Sequence, residues 1–314
     1  MFLLLCRFVL FSACKGTKKN DIRKEKPAYN KIRCRKSCGF LCFLLILQFQ
    51  NNKGYMKITL LQQNIVWNNP QENQKAAEEA IFAADRSDVY VLPEMWSTGF
   101  ATDPVGIAED KGLSLRWMQD IATRMNAAVA GSVATEVDGR YYNRFYFVTP
   151  DDFKCYDKRH LFTYGGEDKR YTAGNERVVV EWRGVRFLLQ VCYDLRFTVF
   201  SRNIPNTGFS KEEETSPYDV ALYVASWPDS RRSVWDALLV ARAIENQCYV
   251  CGVNRVGDDA QCHYNGGTVC VDAYGRIVAQ CADETQSAVT VEVDMEKLKR
   301  FRAKFPVLSD ADNS

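Results

Sequence analysis

From residue 56 onward, short apolar runs alternate with segments of helical spacing. A strand is predicted over 57–63, opened by Lys57-Ile58-Thr59-Leu60-Leu61, and a helix over 73–84. The apolar run 89–92 reads as a short strand that ends at Pro93-Glu94. A helix over 115–125 is followed by strands over 127–133, 141–148 and 153–156, the last two joined by a turn at Pro150-Asp151-Asp152. Strands over 178–182 and 186–191 flank a tight turn at Arg183-Gly184, and 220–225 reads as a buried strand. The segment 234–247 is the strongest helix, with Trp235, Leu238, Leu239, Ala241 and Ile244 on one predicted apolar face. Strands over 249–253, 267–272, 276–281 and 288–293 and a basic helix over 295–305 complete the chain. The polar stretch 206–217 is expected to be a surface loop. This mixture is α/β, with helices covering sheets. No repeat or linker-like composition interrupts 56–314, so it reads as one domain.

The first 55 residues are of another kind. They carry 12 lysines and arginines against 2 acidic residues, whereas the remaining 29 basic residues face 37 acidic ones. A mildly acidic body excludes nucleic-acid binding on electrostatic grounds, because net negative charge opposes the phosphate backbone. The apolar stretches 1–14 and 39–49 are each shorter than the roughly 18–20 residues that span a bilayer, and the first lacks the basic start of a secretory signal. We expect Met56 to be the true start, with 1–55 an upstream extension without a fold of its own. A membrane-anchoring or independently structured leader is the alternative. Cys34, Cys38 and Cys42, spaced four apart, match neither an iron–sulfur nor a paired zinc signature. The body's seven cysteines form no disulfide-scaffold pattern, which points to a reduced, cytoplasmic protein with no membrane role for the body. With only His160 and His263 in the chain, a His-rich metal site or a Ser–His–Asp hydrolase is disfavoured.

Three segments place a reactive residue just past a predicted strand: Glu94 in LPEMWSTGF (92–100), Lys158 in YDKRHLF (156–162) and Cys192 in CYDLRF (192–197). Strand ends are where α/β sheets commonly build ligand sites. A thiol is a poor nucleophile near neutral pH because little of it is thiolate. The Lys158 ammonium would favour thiolate at Cys192, and Glu94 can take the thiol proton and pass it to a leaving amine. Lys158 and the backbone N–H of Tyr193 can stabilise an oxyanion.

These segments resemble the nitrilase superfamily of carbon–nitrogen hydrolases, whose Glu–Lys–Cys triad occurs in motifs of this kind and order. The resemblance covers essentially all of 56–314 and includes ARAIENQ (241–247). Within the superfamily it is nearest the omega-amidase branch, with its bacterial YafV-like enzymes. It implies an α-β-β-α sandwich that dimerises, and a supporting glutamate at Glu167 in Gly165-Gly166-Glu167. It also implies hydrolysis of a small amide through a Cys192 thioester, without metal or organic cofactor. The implied substrates are monoamides of 2-oxo dicarboxylic acids, 2-oxoglutaramate and 2-oxosuccinamate. The sequence departs from the pattern at Thr198, where a proline often follows.

Plainer readings stand beside these. An isolated cysteine at a strand end is usually a small buried hydrophobe; it is the conjunction with Glu94 and Lys158 that assigns chemistry to Cys192. His160 is expected to fix its loop rather than to pair with a cysteine. Cys248 and Cys251 have CxxC spacing but lie in an apolar strand, which favours packing. Arg196 is a candidate for the substrate's carboxylate, against a structural pair with Asp194. Trp227, Phe100 and Trp96 are candidate pocket walls, against plain core packing. The rival functions are another amide hydrolase of the superfamily, acting on N-carbamoyl or aliphatic amides, and a non-catalytic scaffold of the same fold.

Overall fold

The computed structural model describes residues 54–203 and 218–310. The expected 1–55 extension, apart from Gly54 and Tyr55, and the expected loop at 206–217 lie outside the described residues.

The first sheet is built from β1 (Tyr55–Gln62), β2 (Val89–Val91), β3 (Ala128–Val137), β4 (Arg140–Val148), β5 (Phe153–Asp157) and β14 (Ser287–Asp294), in the order β14-β1-β2-β3-β4-β5. The pairs β1–β2 and β2–β3 are parallel and the outer pairs antiparallel. The second sheet takes β6 (Val179–Trp182), β7 (Val185–Val191), β8 (Val220–Ala225), β9 (Tyr249–Asn254), β12 (Val269–Val271) and β13 (Ile277–Gln280), in the order β13-β12-β9-β8-β7-β6. Here β7, β8 and β9 run parallel. A short hairpin, β10 (Val256–Asp258) with β11 (His263–Asn265), stands apart from both sheets. The helices are α1 (Pro70–Ala83), α2 (Leu113–Met125), the short α3 (Thr198–Ser201), α4 (Arg232–Glu245) and α5 (Met295–Lys304).

Side-chain alternation assigns the layers. Ile58, Leu60, Val89, Val91, Ala128, Ala130, Phe145 and Phe147 of the first sheet share one core with Phe187, Leu189, Val191, Val220, Leu222, Val224, Cys251 and Val253 of the second. Phe147 and Phe187 meet across it with ring centroids 5.3 Å apart. The intervening residues point the other way. Leu61, Tyr90, Leu92 and Val129 pack with Ala77 and Ile81 of α1 and Met118 and Ile121 of α2. Leu188, Ala221, Tyr223 and Val250 pack with Trp235, Leu239 and Ala243 of α4. The result is the expected α-β-β-α sandwich. Strands covered on both faces need apolar residues on both, which is why 89–92 and 220–225 read as continuous apolar runs.

Local signals explain where elements begin. Pro70 occupies the first turn of α1 and the Asn69 side chain accepts from the Glu72 N–H at 3.2 Å, so α1 starts three residues before the expected boundary. α4 differs from its predicted face. Trp235, Leu239, Arg242 and Ala243 are its buried residues, while Ile244 is 50% exposed. The approach of α4 to β9 is set by Gly252. A Cβ there would lie 2.5 Å from Leu239 Cδ1 and 2.7 Å from Trp235 Cζ2. The β10–β11 hairpin escapes prediction because its three-residue strands carry Gly and Asp rather than an apolar alternation. Cys248 and Cys251 are both buried in packed clusters, as the packing reading expects.

Candidate active site

Four strand ends converge at one edge of the sandwich. Glu94 follows β2 across Leu92-Pro93, Lys158 follows β5 directly, Cys192 follows β7 directly and Ser226 follows β8 directly. Two of these strands belong to the first sheet and two to the second, so the groups meet only because the sheets stack.

Cys192 opens a 3-10 turn, Cys192–Arg196, with φ of +45°. That left-handed conformation is costly for a residue with a side chain, and it persists where surrounding bonds over-determine it. Asp194 supplies those bonds. Its Oδ2 accepts from the Val191 N–H at 2.9 Å and the Tyr156 hydroxyl at 2.8 Å, and its Oδ1 accepts from the His160 N–H at 3.0 Å. The His160 ring also meets Oδ1 through Nδ1 at 2.8 Å and stacks on Phe197 with centroids 3.9 Å apart. His160 therefore fixes its loop, as expected. Asp194 ties the Cys192 turn to the Lys158 loop and is not the partner of Arg196.

Lys158 is buried between two carboxylates, donating to Glu94 Oε1 at 2.9 Å and Glu167 Oε2 at 2.9 Å. Asn143 of β4 donates one amide nitrogen to Glu94 Oε1 at 2.7 Å and to Glu167 Oε1 at 3.0 Å. Glu94 Oε2 accepts from the Ser226 N–H at 2.9 Å, and Glu167 Oε2 accepts from the Phe162 N–H at 2.7 Å. Gly166, at φ of +79°, makes the left-handed turn that brings Glu167 in from its loop.

The electrostatics follow from burial and these neighbours. Burial works against the Lys158 ammonium, but the carboxylates of Glu167 and Glu94 outweigh it and hold its pKa well above the ordinary lysine value. Burial pushes the Glu167 carboxyl up while Lys158 pulls it back, leaving it raised. The Cys192 thiol is raised well above its ordinary value, first by burial and then by the Glu94 charge, with Lys158 opposing. Lys158 favours the thiolate, as expected, but burial and the Glu94 charge outweigh it.

A cavity of about 600 Å³ opens over this cluster. Lys158, Cys192, Tyr193, Arg196, Trp227 and Phe100 all line it. Lys158 Nζ sits 5.5 Å from the centre of the Phe100 ring. Glu94 and Glu167 are fully buried beneath the cavity. Trp96 is not a wall: it packs in the apolar layer under α1 and α2, 4.8 Å from Trp117 between ring centroids. Sequence reasoning did not find Asn143 or Asp194 as structural members of the cluster, nor Ser226. Asn143 had a legible signal. It shares a strand face with Phe145 and Phe147, so a lone amide points where the chain otherwise places apolar groups.

The carbon–nitrogen hydrolase family model matches residues 57–303. The chain belongs to the carbon–nitrogen hydrolase family. It is 45% identical over 259 residues to the omega-amidase YafV of Yersinia enterocolitica, covering 82% of this chain and 97% of that protein. It is 33% identical to the 2-oxoglutaramate amidase of Bacillus subtilis, over 81% of this chain and 96% of that one. A crystal structure of XC1258 from Xanthomonas campestris, a CN-hydrolase superfamily protein with an arsenic adduct in its active site, matches with a TM-score of 0.77. Its identity is 39%, covering 83% of this chain and 98% of that one. In this carbon–nitrogen hydrolase Thr198 is the first residue of α3. The N–H there has no intrahelical acceptor, so proline and threonine are both accommodated. Among the described residues no helix is long and apolar enough to cross a membrane.

Proposed function

We propose that the protein is an omega-amidase, hydrolysing the terminal amide of 2-oxo dicarboxylic acid monoamides such as 2-oxoglutaramate and 2-oxosuccinamate. The convergence of Glu94, Lys158 and Cys192, with Lys158 and Cys192 lining one cavity and Glu94 buried beneath it, carries this reading, and the names of the relatives at 45% and 33% identity support the substrate class.

Glu94 takes the Cys192 proton as the sulfur attacks the amide carbon. The oxyanion is held by the Lys158 ammonium and the Tyr193 N–H. Glu94 returns the proton to the leaving nitrogen, the C–N bond breaks and ammonia departs, leaving a thioester. Water then attacks the thioester carbon, Glu94 takes its proton and delivers it to the departing sulfur, and the 2-oxo acid is released. A raised thiol suits this sequence, because it calls for a base to take the proton, the role given to Glu94. Glu167 and Asn143 hold Lys158 and Glu94 in register. Phe100 and Trp227 wall the substrate chain, and Arg196 faces its carboxylate.

The proposal includes a homodimer in a reducing, cytoplasmic setting. The body's seven cysteines are free thiols. Ile244, Tyr274 and Ile277 are exposed apolar groups outside the cavity. The test is ammonia release from 2-oxoglutaramate and 2-oxosuccinamate beside aliphatic amides and N-carbamoyl amino acids. Preferred turnover of the oxo-amides, abolished in Cys192→Ala, is the expected result. Preference for another amide would move the enzyme to a different branch, and turnover surviving in Cys192→Ala would remove the proposed nucleophile.

A further inference from the structure

We propose that Arg231, a residue outside the recognised motifs, is the principal grip on the substrate's carboxylate and sets the preference for acidic amides. The inference rests on the omega-amidase reading and names the residue that gives it specificity.

Beneath the cavity the Lys158 ammonium is already engaged by two carboxylates, donating to Glu94 Oε1 at 2.9 Å and to Glu167 Oε2 at 2.9 Å, so it is not free to pair with a carboxylate on the substrate. A carboxylate-bearing amide therefore needs cations on the walls, and among the cavity-lining residues two guanidiniums supply them, Arg196 and Arg231. Each is laid on an aromatic wall. Arg196 Cζ lies 5.0 Å from the centre of the Trp227 ring, and Arg231 Cζ lies 5.5 Å from that of Phe162.

The two differ in how they are held. Arg196 is exposed, whereas Arg231 is partly buried. The Arg231 backbone is pinned from both sides, its carbonyl accepting from Trp227 Nε1 at 2.8 Å and its N–H donating to the Pro228 carbonyl at 3.1 Å. Trp227 thus braces one arginine through a hydrogen bond and carries the other on its ring. Phe162, beneath the Arg231 guanidinium, meets Tyr193 edge-on with centroids 5.2 Å apart, and Tyr193 directly follows Cys192. A chain of ring contacts therefore links Arg231 to Tyr193, the residue next to Cys192.

Arg231 has no carboxylate partner among the described residues. Asp259, which also lines the cavity, spends its acceptors elsewhere. Its Oδ2 accepts from the Tyr264 hydroxyl at 2.6 Å, and its Oδ1 accepts from the N–H groups of Gln261 at 2.7 Å and Cys262 at 2.8 Å. Asp103 faces Arg170 at 3.8 Å. A planar fork held over an aromatic ring, partly dehydrated and without an anion, is prepared for a carboxylate brought by the ligand.

The experiment compares 2-oxoglutaramate with pentanamide, a neutral amide of the same chain length, in the full chain. Arg231→Gln should lower the ratio of their kcat/KM values by about 10- to 100-fold, chiefly through a higher KM for the oxo-amide. Arg196→Gln should lower it less. In Cys192→Ala, binding of 2-oxoglutarate measured by calorimetry should weaken by a similar factor when Arg231→Gln is added. An unchanged ratio, or an equal loss for both amides, overturns the proposal. If Arg231→Gln does not fold, Arg231→Lys carries the test, because it keeps the charge without the fork. A KM for the oxo-amide raised about tenfold is then expected, and an unchanged one overturns the proposal. A wild-type enzyme that does not favour the oxo-amide at all would show that the omega-amidase reading itself has failed, and the carboxylate grip with it.

Discussion

Asn143 donates its amide nitrogen to Glu94 Oε1 at 2.7 Å. The same nitrogen reaches Glu167 Oε1 at 3.0 Å, so one amide on β4 holds two buried carboxylates that would otherwise repel each other. Glu94 is thereby aimed without an additional cation. Asn143→Ala should cut kcat on the order of 100-fold with little change in KM, because substrate does not touch the amide and only the aim of Glu94 is lost. The lost bonds should cost about 1–3 kcal/mol in urea unfolding. A rise in KM with kcat intact would remove Asn143 from the positioning role.

Among the described residues Lys158 is the sole ammonium between these carboxylates. Lys158→Met leaves Glu94 and Glu167 buried without compensation and should destabilise the protein by about 3–5 kcal/mol at neutral pH. The sign of its pH dependence follows from Glu167. Its carboxyl is raised by burial, with Lys158 pulling it down, so removing Lys158 raises it further. A raised carboxyl favours folding below its unfolded pKa and loses that benefit as pH rises through the folded value. The destabilisation of Lys158→Met should therefore be smaller near pH 5 than at pH 8. Urea midpoints at the two pH values decide it, and a larger loss at pH 5 would contradict the charge arrangement.

The raised thiol of Cys192 makes a spectroscopic prediction. Ordinary thiols ionise near pH 8.5, but burial and the Glu94 charge hold Cys192 well above its ordinary value. The difference in absorbance at 240 nm between wild type and Cys192→Ala should show no thiolate growing in from pH 6 to 9. A step near pH 7 would mean that Lys158, and not burial, dominates the sulfur.

How much of this was legible in the sequence depends on the range of the interaction. Glu94, Lys158 and Cys192 stand in dense local motifs at strand ends that the apolar runs already mark, and Glu167, in a loop, came from the family resemblance. The sandwich itself came from the family resemblance, and the periodicity supported only α/β. Asp194 lies inside CYDLRF, yet its partners are Tyr156 and His160, 38 and 34 residues away. A neighbouring Arg196 is the natural local guess, and the fold replaces it with partners from another sheet. Trp96, left open between wall and core and found in the core, and Ile244, placed on the apolar face but exposed, were decided by a related cause. Which face of a turn or helix is covered is decided by the layer packed on it, and periodicity fixes that face only to within about one residue.

His263 tests the hairpin beside the cavity. Its Nε2 meets Glu284 Oε2 at 3.0 Å and its Nδ1 meets Asp258 Oδ1 at 2.8 Å. Those two carboxylates, Glu284 first, push its pKa up to about 9. The chain has only two histidines, so two imidazole Hε1 resonances should be seen by proton NMR, and the one lost in His263→Gln should titrate near pH 9. Because the folded pKa is raised, the stability from this cluster is fully present below the unfolded value of about 6.5 and fades as pH rises to about 9. His263 is a surface group, so the contribution is small and should weaken in salt. β11 carries His263 directly after Cys262, which lines the cavity, and loss of the pins should loosen that wall. His263→Gln should therefore raise amide hydrogen exchange in 259–262 at pH 6 and have little effect at pH 10. Equal exchange in both proteins at pH 6 would show that the ion pairs do not hold the hairpin.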